Sequence, residues 1–204
     1  MEEYALFDRE ALEMMSVIAG KGINHAADGL SGMIGRRIQV NSPSVEVTPV
    51  LTIPELIGRP EEDAVGIYLR FKGDLAGQIM MIFSRAKAVD LVDLLVGVPR
   101  GASQNLSPLE RSALGELGNL CGSFFLNFIA GTLEIALQPS PPVVMVDMVG
   151  AMLDVIVATS DSVGEYALLF QANFTDGDRC VDAVFWVIPE MNSLRALIRK
   201  HSGS

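Results

Sequence analysis

Residues 107–125 read SPLERSALGELGNLCGSFF, and the opening of that stretch dictates a helix start. Ser107 is a capping residue type, Pro108 suits the first helical position, and Glu110 three residues after the serine completes a capping box. The apolar run beyond it predicts a second long helix, interrupted by Gly115, Gly118 and Gly122. Each mid-helix glycine costs about 1 kcal/mol relative to alanine, so something must offset all three. A helix this apolar must also be covered by another layer, which rules out an isolated helix or a loose array.

Glu116 and Asn119 stand at i and i+3 and share a helix face, with Ser112 and Ser123 extending the same stripe. Leu109, Ala113, Leu117, Leu120, Phe124 and Phe128 are expected to form the core face. The glycines border the polar stripe, where a missing Cβ admits close approach. Either the helix packs tightly there against the protein's own sheet or other long helix, or the stripe reaches deep into a partner's cleft. A glutamate and an asparagine can orient a water and exchange hydrogen bonds, but neither is an obvious nucleophile.

The rest of the chain alternates helix and strand signals. A first helix is expected from about Asp8 to Gly35, capped by Asp8, followed by strand-like RRIQV, VEVTPVLTI, AVGIYLRFK and LAGQIMMIFS. Lys72-Gly73-Asp74 reads as a turn between the last two, Arg85 to Leu95 as a short helix, and VGVPRGASQN as a linker. After the second long helix, LEIALQ, VVMVDMV, MLDVIVAT, EYALLFQANF and CVDAVFWVI read as five strands, and Met191 to Lys200 as a closing amphipathic helix. Both halves thus run long helix, strands, short helix. An offset of 99 lays Ile18 on Leu117, Ile34 on Leu133, Ile38 on Leu137 and Pro43 on Pro142. The expectation is an α+β fold: an internally duplicated two-layer α/β sandwich of pseudo-repeats 8–96 and 107–201, with the long helices on one continuous mixed or antiparallel sheet.

Composition excludes several functions. Fifteen lysines and arginines face 25 acidic residues, for a net charge of −10 and no basic cluster, which argues against nucleic acid. The acidic MEEYALFDRE does not resemble a signal peptide, and the long apolar runs are broken by aspartate and glycine, so no membrane insertion and a cytoplasmic setting are expected. Cys121 and Cys180 have neither metal-ligand nor disulfide spacing, and no metal site is expected. The methionine-rich 145–152 reads as a buried strand pair, with Asp147 and Asp154 at solvent-facing strand positions.

Ser112, Glu116, Asn119 and Pro142 together spell Ser-x3-Glu-x2-Asn-x22-Pro. This resembles the signature of the CheC, CheX and FliY family of chemotaxis phosphatases, and ELGNLCGSFFLNFIAGTLEIALQPSPP looks like CheC throughout. The resemblance covers about residues 8 to 188. It implies hydrolysis of the aspartyl phosphate on a CheY-type response-regulator receiver. Asn119 would orient the attacking water, Glu116 would bind the receiver's lysine, and Ser112 and Pro142 would support them. The Mg²⁺ would sit on the receiver, and this chain would need no cofactor of its own. On that reading the glycines are clearance for the docked receiver.

CheC-type chains usually carry the pattern on both long helices. Here the offset places Glu13, Val17 and Gly20 at the first helix, with Pro43 retained. Val17 cannot pair with a lysine and Gly20 cannot orient water, so the first site is degenerate and one site remains. Asn24 and His25 lie nearby in a shifted register. The competing reading is a non-catalytic adaptor or switch-complex module of the same fold that holds a receiver or a CheD-like deamidase.

Overall fold

Two long helices form as expected, α1 over Arg9–Ile34 and α3 over Pro108–Leu133, each of 26 residues, the second starting at its capping box. The structure is a computed structural model that describes residues 9–49, 52, 59–159, 166–175, 180–190, 192, 193 and 196. Asp8, the Asp-Gly-Asp at 176–178 and most of the expected closing helix lie outside those residues. Between the long helices come β1 (Gln39–Pro49), β2 (Asp63–Gly73), β3 (Gly77–Ser84) and α2 (Arg85–Val96). After α3 come β4 (Leu137–Pro139), β5 (Val143–Met148), α4 (Val149–Thr159), β6 (Tyr166–Thr175) and β7 (Cys180–Pro189).

The seven strands make one sheet in the order β1-β6-β7-β3-β2-β4, with β5 also on β2. Every pairing is antiparallel. The order reads alike from both ends: β1 answers to β4 and β5, β6 to β2, and β7 to β3. The end of RRIQV, from Gln39, and the start of VEVTPVLTI, to Pro49, prove to lie in a single strand, β1, with a register irregularity between Asn41 and Ser44. The Lys72-Gly73-Asp74 turn forms as expected. Gly73 has φ +138°, and a Cβ there would lie 2.0 Å from the Ala136 carbonyl oxygen, so only glycine fits.

Strand alternation sends Val65, Ile67, Leu69 and Phe71 of β2 to the face covered by α1, α2 and α3, which holds the main core. The long helices approach through glycine. A Cβ at Gly22 would lie 3.1 Å from the Phe125 ring, and one at Gly29 only 2.3 Å from the Phe124 ring. Phe125 in turn meets Phe185 of β7 edge-on, with centroids 4.9 Å apart.

The opposite face carries a smaller cluster of Ala64, Tyr68, Met80, Ile82, Leu169, Trp186 and Ile188, covered by Val149 and Met152. Those two belong to α4, which corrects the expectation of a strand at MLDVIVAT. Residues 149–159 are helical, so 145–152 spans a strand end and a helix start, not a strand pair. Asp147 is exposed on β5 and Asp154 is exposed on α4. A short apolar run cannot tell strand from helix by periodicity, and the open sheet face decides in favour of a helix laid across it.

Candidate functional site

The capping box that opens α3 is present in full. The Ser107 hydroxyl accepts from the Glu110 N–H at 3.4 Å, and the Ser107 N–H donates to Glu110 Oε2 at 2.6 Å. Hydrogen bonds from Ser103 and Ser107 hold the Glu110 carboxyl below its ordinary range. This start fixes the rotation of every later residue on the helix.

The rotation differs by one step from the expected core face. Leu114, Leu117, Gly118, Cys121, Gly122, Phe125 and Leu126 are buried, whereas Leu109 is 70 % exposed. Two of the three glycines therefore face the protein's own sheet. A Cβ at Gly118 would lie 2.3 Å from Ile67 Cγ2, and one at Gly122 would lie 2.5 Å from Leu69 Cδ2. These glycines let α3 settle onto β2, and the expected clearance for a docked partner is not their role. Gly115 alone lines the polar side, with the nearest atom to a built Cβ being Val144 Cγ2 at 3.8 Å.

Seating α3 on β2 presents Ser112, Glu116 and Asn119 outward, all exposed. They face a wall made by residues 139–142, and the two sides enclose a groove of about 710 Å³. Pro142, 23 residues after Asn119 in the chain, lines the same groove as the three α3 residues. The wall is pinned to β2. The Ser140 N–H donates to the Arg70 carbonyl at 2.7 Å, and the Ser140 hydroxyl accepts from the Arg70 N–H at 3.0 Å. One turn earlier the Asp74 carboxylate accepts from the Ala136 N–H at 2.8 Å, and the Asp74 N–H donates to the Ala136 carbonyl at 2.9 Å. The groove thus has a helix for one side and a tethered proline loop for the other. Neither Glu116 nor Asn119 has a hydrogen-bond partner among the described residues, so both side chains are available to a ligand.

The structure adds Arg111, which the sequence pattern did not single out; it lines the groove one position before Ser112. Cys121 is buried and its thiol is pushed up to about 12 by that burial, so it serves the core and is no nucleophile. The side chain of Cys180 lies outside the described ones. Among the described residues no group of three or more histidine, cysteine, aspartate or glutamate side chains is placed to hold a metal ion.

On α1 the corresponding positions offer no such stripe. Val17 is 58 % exposed, Gly20 is buried, and the side chains of Glu13 and Pro43 lie outside the described ones. The Asn24 amide donates to the Gly20 carbonyl at 2.8 Å, and the His25 ring stacks on Phe128 with centroids 5.8 Å apart. Both nearby polar side chains therefore have structural occupations. Among the described residues α3 is the one helix long and apolar enough to cross a membrane, yet here its apolar side lies against β2 and α1.

No family model matches the sequence. The chain is 25% identical over 192 residues to the CheY-P phosphatase CheC of Bacillus subtilis, covering 92% of each. Its fold matches the crystal structure of Thermotoga maritima FliY with a TM-score of 0.75 and 17% identity, covering 95% of this chain and 96% of that one. It also matches a chain of the CheX-CheY-BeF3-Mg+2 complex from Borrelia burgdorferi, with a TM-score of 0.52 and 13% identity over 83% of this chain and 96% of that one. The likeness to the CheC, CheX and FliY family, first read from four residues, extends along nearly the whole sequence and to the fold.

Proposed function

We propose that this chain, like the CheC it resembles, removes the phosphoryl group from the aspartyl phosphate of a CheY-type receiver in the cytoplasm, with its one active site in the groove of α3. The observation that carries this reading is the convergence of Ser112, Glu116, Asn119 and Pro142 on one exposed groove with the two polar side chains uncommitted. A water oxygen bonds to phosphorus, the bond from phosphorus to the aspartyl oxygen breaks to leave the free carboxylate, and both of the water's protons leave with inorganic phosphate. This chemistry asks for positioning and charge stabilisation more than for a protein nucleophile.

Asn119 suits the task because its amide offers a donor and an acceptor in one plane, which aligns a water opposite the leaving oxygen. Glu116, one turn earlier on the same face, supplies a carboxylate for the receiver's lysine and so fixes the docked orientation. The proline wall limits how the receiver seats, and Gly115 leaves room for it. The Mg²⁺ arrives with the receiver, and this chain contributes no cofactor.

The test is the decay of a phosphorylated CheY-type receiver with and without the protein. Acceleration should fall by about 100-fold or more in Asn119→Ala, the loss expected when a reacting water is misplaced, while binding persists. Acceleration that survives the substitution overturns the assignment of Asn119. Binding without acceleration by the wild-type chain supports the adaptor reading instead, in which a receiver or a CheD-like deamidase is held without turnover.

A further inference from the structure

Of the residues that line the groove, Arg111 is the one cation and Glu116 the one anion. They lie five residues apart, about 7.5 Å along the axis and well round the helix from each other, so they do not neutralise one another. The Arg111 Nε donates to the Leu106 carbonyl at 3.1 Å, which orients the guanidinium and leaves its terminal nitrogens without a partner among the described residues. A free, oriented guanidinium in a groove built for a protein ligand is suited to meet a carboxylate.

The proposed partner supplies that chemistry. A receiver that holds Mg²⁺ beside a phosphorylated aspartate must present carboxylates around the site, since magnesium is held by oxygen ligands. A chain of net charge −10 approaching such a surface is repelled at long range. The groove is where that repulsion needs a local cation.

On the phosphatase reading above, we propose that Arg111 docks on a receiver carboxylate. With Glu116 on the receiver's lysine, it forms an ordered plus-minus pair that sets the docking register and selects receivers carrying the opposite pattern. This makes Arg111 a specificity residue that meets the rim of the receiver's acidic pocket, not the reacting phosphorus. Asn119 is eight residues away along α3, on the order of 12 Å.

The experiment measures affinity of the full chain for a CheY-type receiver loaded with beryllofluoride and Mg²⁺ at low and high ionic strength, alongside steady-state dephosphorylation. Arg111→Glu should weaken binding by about tenfold or more at low salt and converge on wild type at high salt. KM should rise while kcat holds. Arg111→Lys keeps the charge but loses the planar fork and the orienting bond to Leu106, and should fall between wild type and Arg111→Glu in affinity. Unchanged affinity and salt dependence in Arg111→Glu overturns the proposal, as does equal damage from the lysine variant, which would mark a structural role. If Asn119→Ala abolishes hydrolysis while Arg111→Glu is silent, only the role of Arg111 falls. If the wild-type chain neither binds nor dephosphorylates the receiver, the phosphatase reading falls and the docking pair with it.

Discussion

Replacing Gly118 and Gly131 by alanine, one at a time, should shift stability in opposite directions although both lie in α3. At Gly131 a Cβ meets nothing within 4 Å, so the substitution collects only the helix-propensity gain, up to about 1 kcal/mol. At Gly118 the same gain is opposed by a contact of 2.3 Å with Ile67 Cγ2, more than an ångström inside the usual 3.5–4.0 Å carbon separation. Ile67 is fully buried, and its branched carbon cannot swing aside without moving the rest of the side chain. Overpacking of this kind costs about 1–3 kcal/mol, leaving Gly118→Ala net destabilised by up to about 2 kcal/mol. At roughly 2–4 °C per kcal/mol for a chain of this size, thermal unfolding followed by circular dichroism should show Tm falling by several degrees for Gly118→Ala and rising for Gly131→Ala. An Ile67→Ala background removes the obstructing methyl, so there Gly118→Ala should become neutral or stabilising, a coupling that a double-mutant cycle reads directly. A Gly118→Ala protein that melts at or above wild type would refute the packing explanation for the glycines.

The remaining predictions concern the supports of the groove. Ser107→Ala removes one arm of the capping box and should cost about 1 kcal/mol by urea denaturation, with receiver dephosphorylation falling because Arg111 and Ser112 lie in the first two turns. Ser140→Ala frees the proline wall from the Arg70 N–H; it should cost about 1 kcal/mol and lower turnover while leaving Glu116 and Asn119 in place. Asp93 is fully buried, with its carboxylate accepting from the Gly101 N–H at 2.6 Å and the Ser103 N–H at 2.9 Å. Burial pushes its carboxyl up, but bonds from the Ser103 side chain and the Ser103, Gly101 and Ala102 backbone outweigh it and hold the carboxyl below its ordinary value. A depressed folded-state value means that its stabilisation is complete above the unfolded value near pH 4. It is lost as pH falls through the lower folded value. Asp93→Asn should flatten that acid limb of the stability curve, and an unaltered limb would place the acid sensitivity elsewhere.

The candidate site was legible in the sequence because three of its residues sit on one turn-spaced stripe, and a capping box fixes where the count begins. Pro142 could be placed only by pattern, since its approach to Asn119 depends on the Ser140 and Asp74 tethers. Arg111 was missed because it belongs to no spacing; the groove alone reveals it. The core face of α3 was misjudged because hydropathy counting gives glycine no weight, so Gly118 and Gly122 were assigned to the polar border and Leu109 to the core. The helix at 149–159 was hidden by Val155, Ile156, Val157 and Thr159, residues that favour strands. What overrode that preference is the second sheet face, whose need for a cover cannot be read from a local window. The alternating runs of β2, β3, β6 and β7 were clear, but their order was not, because β6 and β7 insert between β1 and β3.

That insertion has a consequence for how the molecule comes into being on the ribosome. β1 is made early, yet its partner throughout is β6, whose paired residues run from Tyr166 to Thr175, over a hundred residues later. At roughly 5–20 residues per second the wait is on the order of ten seconds, during which a strand edge stands open. The first half of the chain therefore cannot complete its sheet as it emerges, and nascent β1 keeps an unpaired edge, a template for wrong pairing, until the final hairpin arrives. Truncations that end before residue 166 should accumulate as aggregates even though they retain both long helices and β1 to β5.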